Sequence, residues 1–156
     1  MDDIDRTLIG LLQEDASRTY ADLAAAVGLS TGAVHERVRK LRRSGVIVRT
    51  AVEVDPKQLG RNVVAFVLLE TEGWITEPIR RATVDDPRVE DLHTVAGDAN
   101  FVLKVRVGDP AELQRLLRGL FDVEGVRRTR TLMVLDTYID RAPGLSPTGR
   151  HPAPPD

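Results

Sequence analysis

Between residues 31 and 50 the chain sets Arg37, Arg39, Lys40, Arg42, Arg43 and Arg49 against one acid, Glu36, a local net charge of +5. The whole chain of 156 residues carries −2. A concentrated positive field matters more to a polyanion than the total charge does. The chemistry on offer is therefore phosphate binding, with short polar groups nearby to read base edges. Other chemistries are poorly provided for. There is no cysteine, so no disulfide, thiolate metal site or thiol nucleophile is expected. His35, His93 and His151 are too scattered for a metal site at motif spacing, and neither a metal nor a cofactor is expected.

The basic residues need an element to hold them. Val34, Val38 and Leu41 recur at i, i+4, i+7 and fall within about 60° of one another on a helix. Ser30 caps that helix and Ser44-Gly45 ends it. The opposite side presents Gly32, Glu36, Arg39, Lys40 and Arg43, with Thr31 and His35 near the exposed N-terminal end. Arg39, Lys40 and Arg43 are placed for phosphates, Ser30, Thr31 and His35 for base edges. Arg37 lies nearer the buried flank; it either joins the DNA contacts or pairs with a carboxylate of the first helix.

Two helices precede it. Residues 2–15 carry Ile4, Leu8, Leu11 and Leu12 on one face, behind an Asp2 cap. Gly10 interrupts that helix and costs about 1 kcal/mol relative to Ala. Residues 19–28 form a short helix with Thr19 and Asp22 as a capping box and Gly28 as a left-handed stop. Helix, three-residue turn, basic helix is the helix-turn-helix pattern, and a basic helix of 10–12 Å diameter fits a major groove of about 12 Å.

Residues 48–61 alternate Val48, Thr50, Val52 and Val54 and end in the turn signal "DPKQLG", which predicts a connecting strand. Residues 62–139 then read strand, helix, strand, strand, helix, strand. "VVAFVLLET" is apolar on both faces and must be covered on both. "TEPIRRATVDD" is a helix with Thr76 as its cap. "VEDLHTVA" and "FVLKVRV" flank a "GDAN" turn. "DPAELQRLLRGLF" has an Asp109 cap, Pro110 at the first position, Glu112 completing a box, and a stripe of Leu113, Leu116, Leu117, Leu120 and Phe121. "GVRRTRTLMVLDTYI" is a long last strand. The order predicts an α+β chain in which an N-terminal helix-turn-helix domain, residues 1–47 and winged-helix-like, joins a ferredoxin-like βαββαβ domain. The sheet face away from its helices is too aliphatic to stay wet, which predicts a homodimer through a second copy of the sheet. Residues 140–156 hold five of the nine prolines and are expected to be a disordered tail. The acidic start and the lack of an apolar run of membrane length predict a cytoplasmic protein with no membrane partner.

The ordered set "IDRTLIGLLQEDASRTYADLAAAVGLS", "VHERVRKLRRSGVI", "VDPKQLG", "VAGDANFVLKVRV" and "GVRRTRTLMVL" resembles the Lrp/AsnC (feast/famine) transcriptional regulators over residues 1 to about 139. The resemblance implies a regulator that binds double-stranded DNA as a dimer, often assembled into an octamer, with a small effector, commonly an amino acid, at interfaces of the regulatory domain. On this chain it implies an effector region at Thr94, Gly97, Asp98 and Asn100, with Leu132 and Val134 from the last strand. The family loop runs Gly-x-aromatic-Asp, whereas this one runs Gly97-Asp98-Ala99-Asn100 and lacks that last charge. An amino acid, another effector and no effector at all remain open, and Gly-Asp is also a favoured turn for backbone reasons alone. Two alternatives share the two-domain plan. One is a sirohaem-decarboxylase-like enzyme subunit, using His93 with Arg127, Arg128 and Arg130. The other is an effector sensor without DNA binding.

Overall fold

The computed structural model describes residues 1–140, and the expectation for the proline-rich tail, His151 included, lies outside them. The chain divides into two compact units, with Met1–Val52 in one and Glu53–Tyr138 in the other. None of the described helices is long and apolar enough to cross a membrane.

The first unit is three helices, α1 (Asp3–Glu14), α2 (Tyr20–Val27) and α3 (Thr31–Arg43). Each begins on a side-chain cap. Asp2 and Asp5 form a reciprocal capping box, Thr19 and Asp22 form another, and the Ser30 hydroxyl accepts the Ala33 N–H at 3.2 Å. Gly28 ends α2 at φ +68°, a backbone that L side chains rarely adopt, and so fixes the turn into α3. Leu8, Leu23, Ala24, Val34 and Val38 close the core, with Ile4, Leu11, Leu12, Tyr20, Val27, Leu29 and Ile47 around it. A Cβ at Gly10 would meet nothing within 4 Å, so no close packing demands that glycine.

The second unit is β1 (Val63–Thr71), α4 (Thr76–Thr83), β2 (Val89–Thr94), β3 (Phe101–Val107), α5 (Pro110–Phe121) and β4 (Val126–Met133). The sheet order is β2-β3-β1-β4 and every neighbour is antiparallel, which is the ferredoxin-like arrangement. Ala65, Val67, Leu69, Phe101, Leu103, Val105 and Val107 pack one face against Ile79 of α4 and Leu113, Leu116 and Leu120 of α5. The other face of β1 carries Val64, Phe66 and Leu68, and Phe66 is 38% exposed.

Several expectations need correction. Residues 48–61 form no strand: Val48, Val52 and Val54 are exposed, and no ladder partner exists among the described residues. Period-two alternation signals a strand only where another strand can pair with it. The "DPKQLG" turn does form, with the Asp55 carboxylate accepting the Lys57 N–H and Gly60 at φ +70°. Its Gly60 carbonyl comes so close to Gly108 that a Cβ on Gly108 would lie 3.0 Å away. β4 stops at Met133, opposite Ala65, instead of running to residue 139; one further bond, from the Val134 N–H to the Val64 carbonyl, follows it, and β1 begins at Val63 and offers no partner to residues 136–139. Thr76 is the first helical residue and Ile75 the cap position, without a side-chain cap bond. Phe121 is 55% exposed, since it lies on the margin of the α5 stripe in the final turn. In the same helix Asp109 caps the Glu112 N–H as expected, but Glu112 returns its bond to the Gly108 N–H, one residue earlier than a capping box would.

Candidate nucleic-acid interface and effector region

Helix α3 is anchored from one side. Val34, Val38 and Leu41 are no more than 5% exposed, and with that stripe fixed the opposite one must face outward. Thr31, Gly32, His35, Glu36, Arg39, Lys40 and Arg43 are all exposed there or on its margins. Arg39 and Arg43 keep 55% and 66% of their side chains exposed. Lys40 makes no ion pair among the described residues. Three cations thus line the outer face within two turns, spaced so that they can meet successive phosphates of a duplex laid along it.

Three of the expected contacts carry a second duty. The Ser30 hydroxyl is held by the Ala33 N–H as the helix cap. The His35 ring stands edge-on to Tyr20 of α2, with centroids 5.0 Å apart, which fixes the imidazole at the margin of the open face. Glu36 accepts from Arg39 at 2.6 Å and lies 3.4 Å from Arg43, and its carboxyl is held below the ordinary range chiefly by the Arg39 bond. Sequence reasoning placed Glu36 on the face without seeing that it ties two arginines together. The i, i+3 and i, i+7 spacing is the signal that could have shown it.

Arg37 takes one of its two expected roles, the pairing with carboxylates of the first helix. Its guanidinium donates to Asp2 at 2.7 Å and Asp5 at 2.8 Å, joining α3 to the capped start of α1. Asp2 is held below the usual carboxylate range, first by the Asp5 N–H and then by Arg37. Arg37 lies about 60° to one side of the buried stripe, where the two carboxylates of the α1 capping box await it. It thereby ties α3 to α1 within this unit, the second of the two roles expected for it.

In the second unit the hairpin after β2 is held tightly. The Val95 N–H donates to the Asn100 carbonyl, and the Asn100 N–H to the Leu69 carbonyl at 2.8 Å. The Asn100 side-chain oxygen accepts the Thr71 N–H at 2.8 Å. Thr71 lies beyond the last β1–β3 pair, Leu69 with Phe101, so Asn100 satisfies a donor that this ladder leaves free. Ala99 is buried, Thr94 and Asp98 are exposed, and Gly97 has φ +144°. Trp74, 65% exposed, stands edge-on to Phe101 at 6.4 Å, just beyond the hairpin. The pattern around it gave no reason to single it out.

The six expected effector residues are not brought together within one chain. Thr94 pairs with Phe101, and Phe101 with Leu69. Leu132 pairs with Phe66, and the Val134 N–H donates to the Val64 carbonyl. Leu132 is thus three residues, about 10 Å, along the strands from the hairpin row, and across the sheet it is two strand spacings, about 10 Å, from Phe101 and three, about 14 Å, from Thr94. Leu132 also shares the open face with Phe66, whereas Phe101 points into the core. A site built from all six requires more than one copy of the chain.

The groups named for a tetrapyrrole are also dispersed. His93, Val102, Leu68 and Arg130 form one cross-strand row, which puts His93 and Arg130 three spacings, about 14 Å, apart. Arg127 binds Glu72 at 2.7 Å, and Arg128 lies 3.8 Å from Glu70.

Comparison with known proteins agrees with this geometry. The AsnC-type helix-turn-helix domain matches residues 1–42, and the Lrp/AsnC ligand binding domain matches residues 64–143. HTH-type transcriptional regulator FL11 of Pyrococcus furiosus is 32% identical over 138 residues, 88% of this chain and 91% of its own length. HTH-type transcriptional regulator LrpA of Mycobacterium tuberculosis is 36% identical over 145 residues, 90% of this chain and 95% of its own. The structure of E. coli AsnC superposes with a TM-score of 0.83 at 28% identity, over 91% of this chain and 97% of that one. With an outward basic helix in one unit and a ferredoxin-like sheet in the other, the chain belongs to the Lrp/AsnC family of transcriptional regulators.

Proposed function

We propose that this protein regulates transcription by laying α3 in the major groove of a specific duplex, as a homodimer working in the cytoplasm, under the influence of a small effector. One observation carries the reading: Arg39, Lys40 and Arg43 stand exposed on the face of α3 opposite Val34, Val38 and Leu41. Phosphate contacts from those cations supply most of the affinity, and Thr31 and His35 at the start of the helix meet base edges. The experiment is duplex binding by the purified chain across a salt series. Affinity falls steeply with salt if the reading holds, and no binding at 50 mM salt refutes it.

The homodimer rests on the open sheet face, where Val64, Phe66 and Leu68 of β1 and Leu132 of β4 form an apolar centre; Leu132 is 53% exposed. Ion pairs from Glu90 to Lys104 and Arg106, and from Glu70 to Arg128, lie on the same face around it. An apolar centre within a charged rim is how protein interfaces are built, and a second copy of the same face is self-complementary under two-fold symmetry. Phe66→Asp buries a charge at that centre and should give a monomer in sedimentation, where the parent chain gives a dimer or an octamer.

The effector binds where copies meet, with the hairpin at Thr94, Gly97, Asp98 and Asn100 from one chain and Leu132 and Val134 from another. An amino acid suits that combination: Asp98 is free for an ammonium group and Leu132 offers an apolar wall. The effector shifts DNA binding by the difference in its affinity for two assembly states, typically 1–3 kcal/mol. We assign no catalytic role to His93 or to the β4 arginines, because their separation leaves no shared site.

A further inference from the structure

The outer face of α3 carries one residue of the wrong sign for a phosphate surface. Gly32, Glu36, Arg39 and Arg43 follow at intervals of four, three and four residues, so they form one stripe along the helix. Glu36, at the middle of that stripe, is 55% exposed and ion-paired with Arg39 and Arg43. Its carboxylate repels a phosphate backbone, and it neutralises two cations that would bind one. A surface shaped for affinity alone would not include it.

Gly32 is a second anomaly. Glycine is a poor helix former. A Cβ at Gly32 would meet nothing within 4 Å, and the residue is not among those with positive φ. Nothing inside the chain requires a glycine there. Its missing side chain leaves room, one turn before Glu36, for a base edge to approach the helix.

We propose that Glu36 is a specificity-determining residue. In the free protein its carboxylate is held by Arg39 and Arg43; on the cognate duplex it accepts a hydrogen bond from the N4 amino group of a cytosine, in the space opened by Gly32. The inference rests on the reading of α3 as the recognition helix. An ionised carboxylate can only accept. In the major groove guanine and thymine offer it acceptors, and adenine sets its N6 donor beside the N7 acceptor. Cytosine offers the N4 donor alone. Where cytosine is present, Glu36 turns to it and releases both arginines to phosphate. Elsewhere it keeps them or faces a repulsive edge, so it acts chiefly by weakening binding to the wrong sequences. Exposed ion pairs contribute little stability and are easily exchanged in this way.

Selection from a random duplex library tests this with no operator chosen in advance, using the full chain, Glu36→Gln and Glu36→Asp. The parent should enrich a cytosine at one fixed position of each half-site, and replacing that cytosine should weaken binding about five- to hundred-fold. Glu36→Gln should bind scrambled duplex more tightly than the parent. Its selected base should shift from cytosine to adenine, whose N6 and N7 an amide matches. Glu36→Asp keeps the charge but loses reach, so it should retain weak scrambled binding and lose the cytosine preference. The inference is overturned if Glu36→Gln selects the parental sequence with unchanged affinity for scrambled DNA. It is overturned equally if that variant binds scrambled DNA more weakly, which is the result if Glu36 merely props the arginines toward phosphates. A folded parent chain that binds no duplex overturns the recognition-helix reading, and this inference with it.

Discussion

Replacing Arg39 and Arg43 together by alanine is the most direct probe of the DNA interface, because it changes the salt dependence by a calculable amount. The outer face of α3 offers three cations per protomer, Arg39, Lys40 and Arg43, hence six in a dimer. Each neutralised phosphate adds about −0.9 to the slope of log K against log salt, so six contacts give a slope of about −5.4. Between 50 and 200 mM salt, affinity then falls about 2,000-fold. The double substitution leaves two contacts, a slope of about −1.8, and a fall of only about 12-fold. The slope drops by two-thirds whatever the oligomeric state, since the ratio is set within each protomer. Fluorescence anisotropy of a labelled duplex at four salt concentrations reads this directly. Arg39 and Arg43 are more than half exposed and, among the described residues, pair only with Glu36, so their loss should barely move the thermal midpoint. Arg37→Ala is the internal control. It breaks the link to Asp2 and Asp5, so it should lower the midpoint while leaving the salt slope of the folded protein unchanged. Equal slopes for the parent and the Arg39/Arg43 variant would refute the placement of phosphates along this face.

Leu8→Ala should cost about 3 kcal/mol, because Leu8 is fully buried in a core supplied by only three helices; chemical denaturation followed by circular dichroism measures it. Asn100→Ala should cost about 1 kcal/mol by leaving the Thr71 N–H without its acceptor, whereas Asn100→Asp keeps the acceptor and the stability. The same Asp variant adds a carboxylate beside the hairpin, so thermal-shift titration should show stronger stabilisation by α-amino acids than in the parent. Glu77 is pulled down to about 2, first by Arg80 and then by Arg81. A depressed folded pKa stabilises above the unfolded value, here 4.5, and that contribution is lost as pH falls toward about 2. Glu77→Gln should therefore flatten the dependence of melting temperature on pH across that window.

What the sequence made legible were features carried by one element or by a short turn. The caps at Asp2, Thr19, Ser30 and Asp109 and the stop at Gly28 are local chemistry, and each does what its residue type implies. The buried stripe of α3 follows from periodicity alone. The features that escaped depend on contacts remote in sequence. Asn100 looks like a hairpin residue until β1 is placed beside it, when its side chain turns out to accept the Thr71 N–H, 29 residues away and just past the last β1–β3 pair. Arg37 looked equally fit for DNA or for α1 because its angle on the helix allows both, and only the position of Asp5 decides between them. Trp74 left no periodic mark, since it sits in a loop with one aromatic partner.

The failed expectation of a strand over residues 48–61 belongs to a different kind. The alternation of Val48, Thr50, Val52 and Val54 is present, and the structure does not contradict the preference it expresses. A strand is a pairwise object, however: its backbone donors and acceptors are satisfied only by a neighbour. Within one chain these residues have no neighbour, so the valines stand exposed and no ladder forms. The open face of the sheet poses the same problem in another form, since Phe66 and Leu132 are apolar positions whose burial no other element of the described chain provides. A capping residue or a helical stripe is satisfied by the chain that encodes it. An edge or a second apolar face can be encoded in one chain and satisfied only by another. The alternating valines and the aromatic on the open face therefore bear on assembly, and the sedimentation of Phe66→Asp judges them where the fold of a single chain does not.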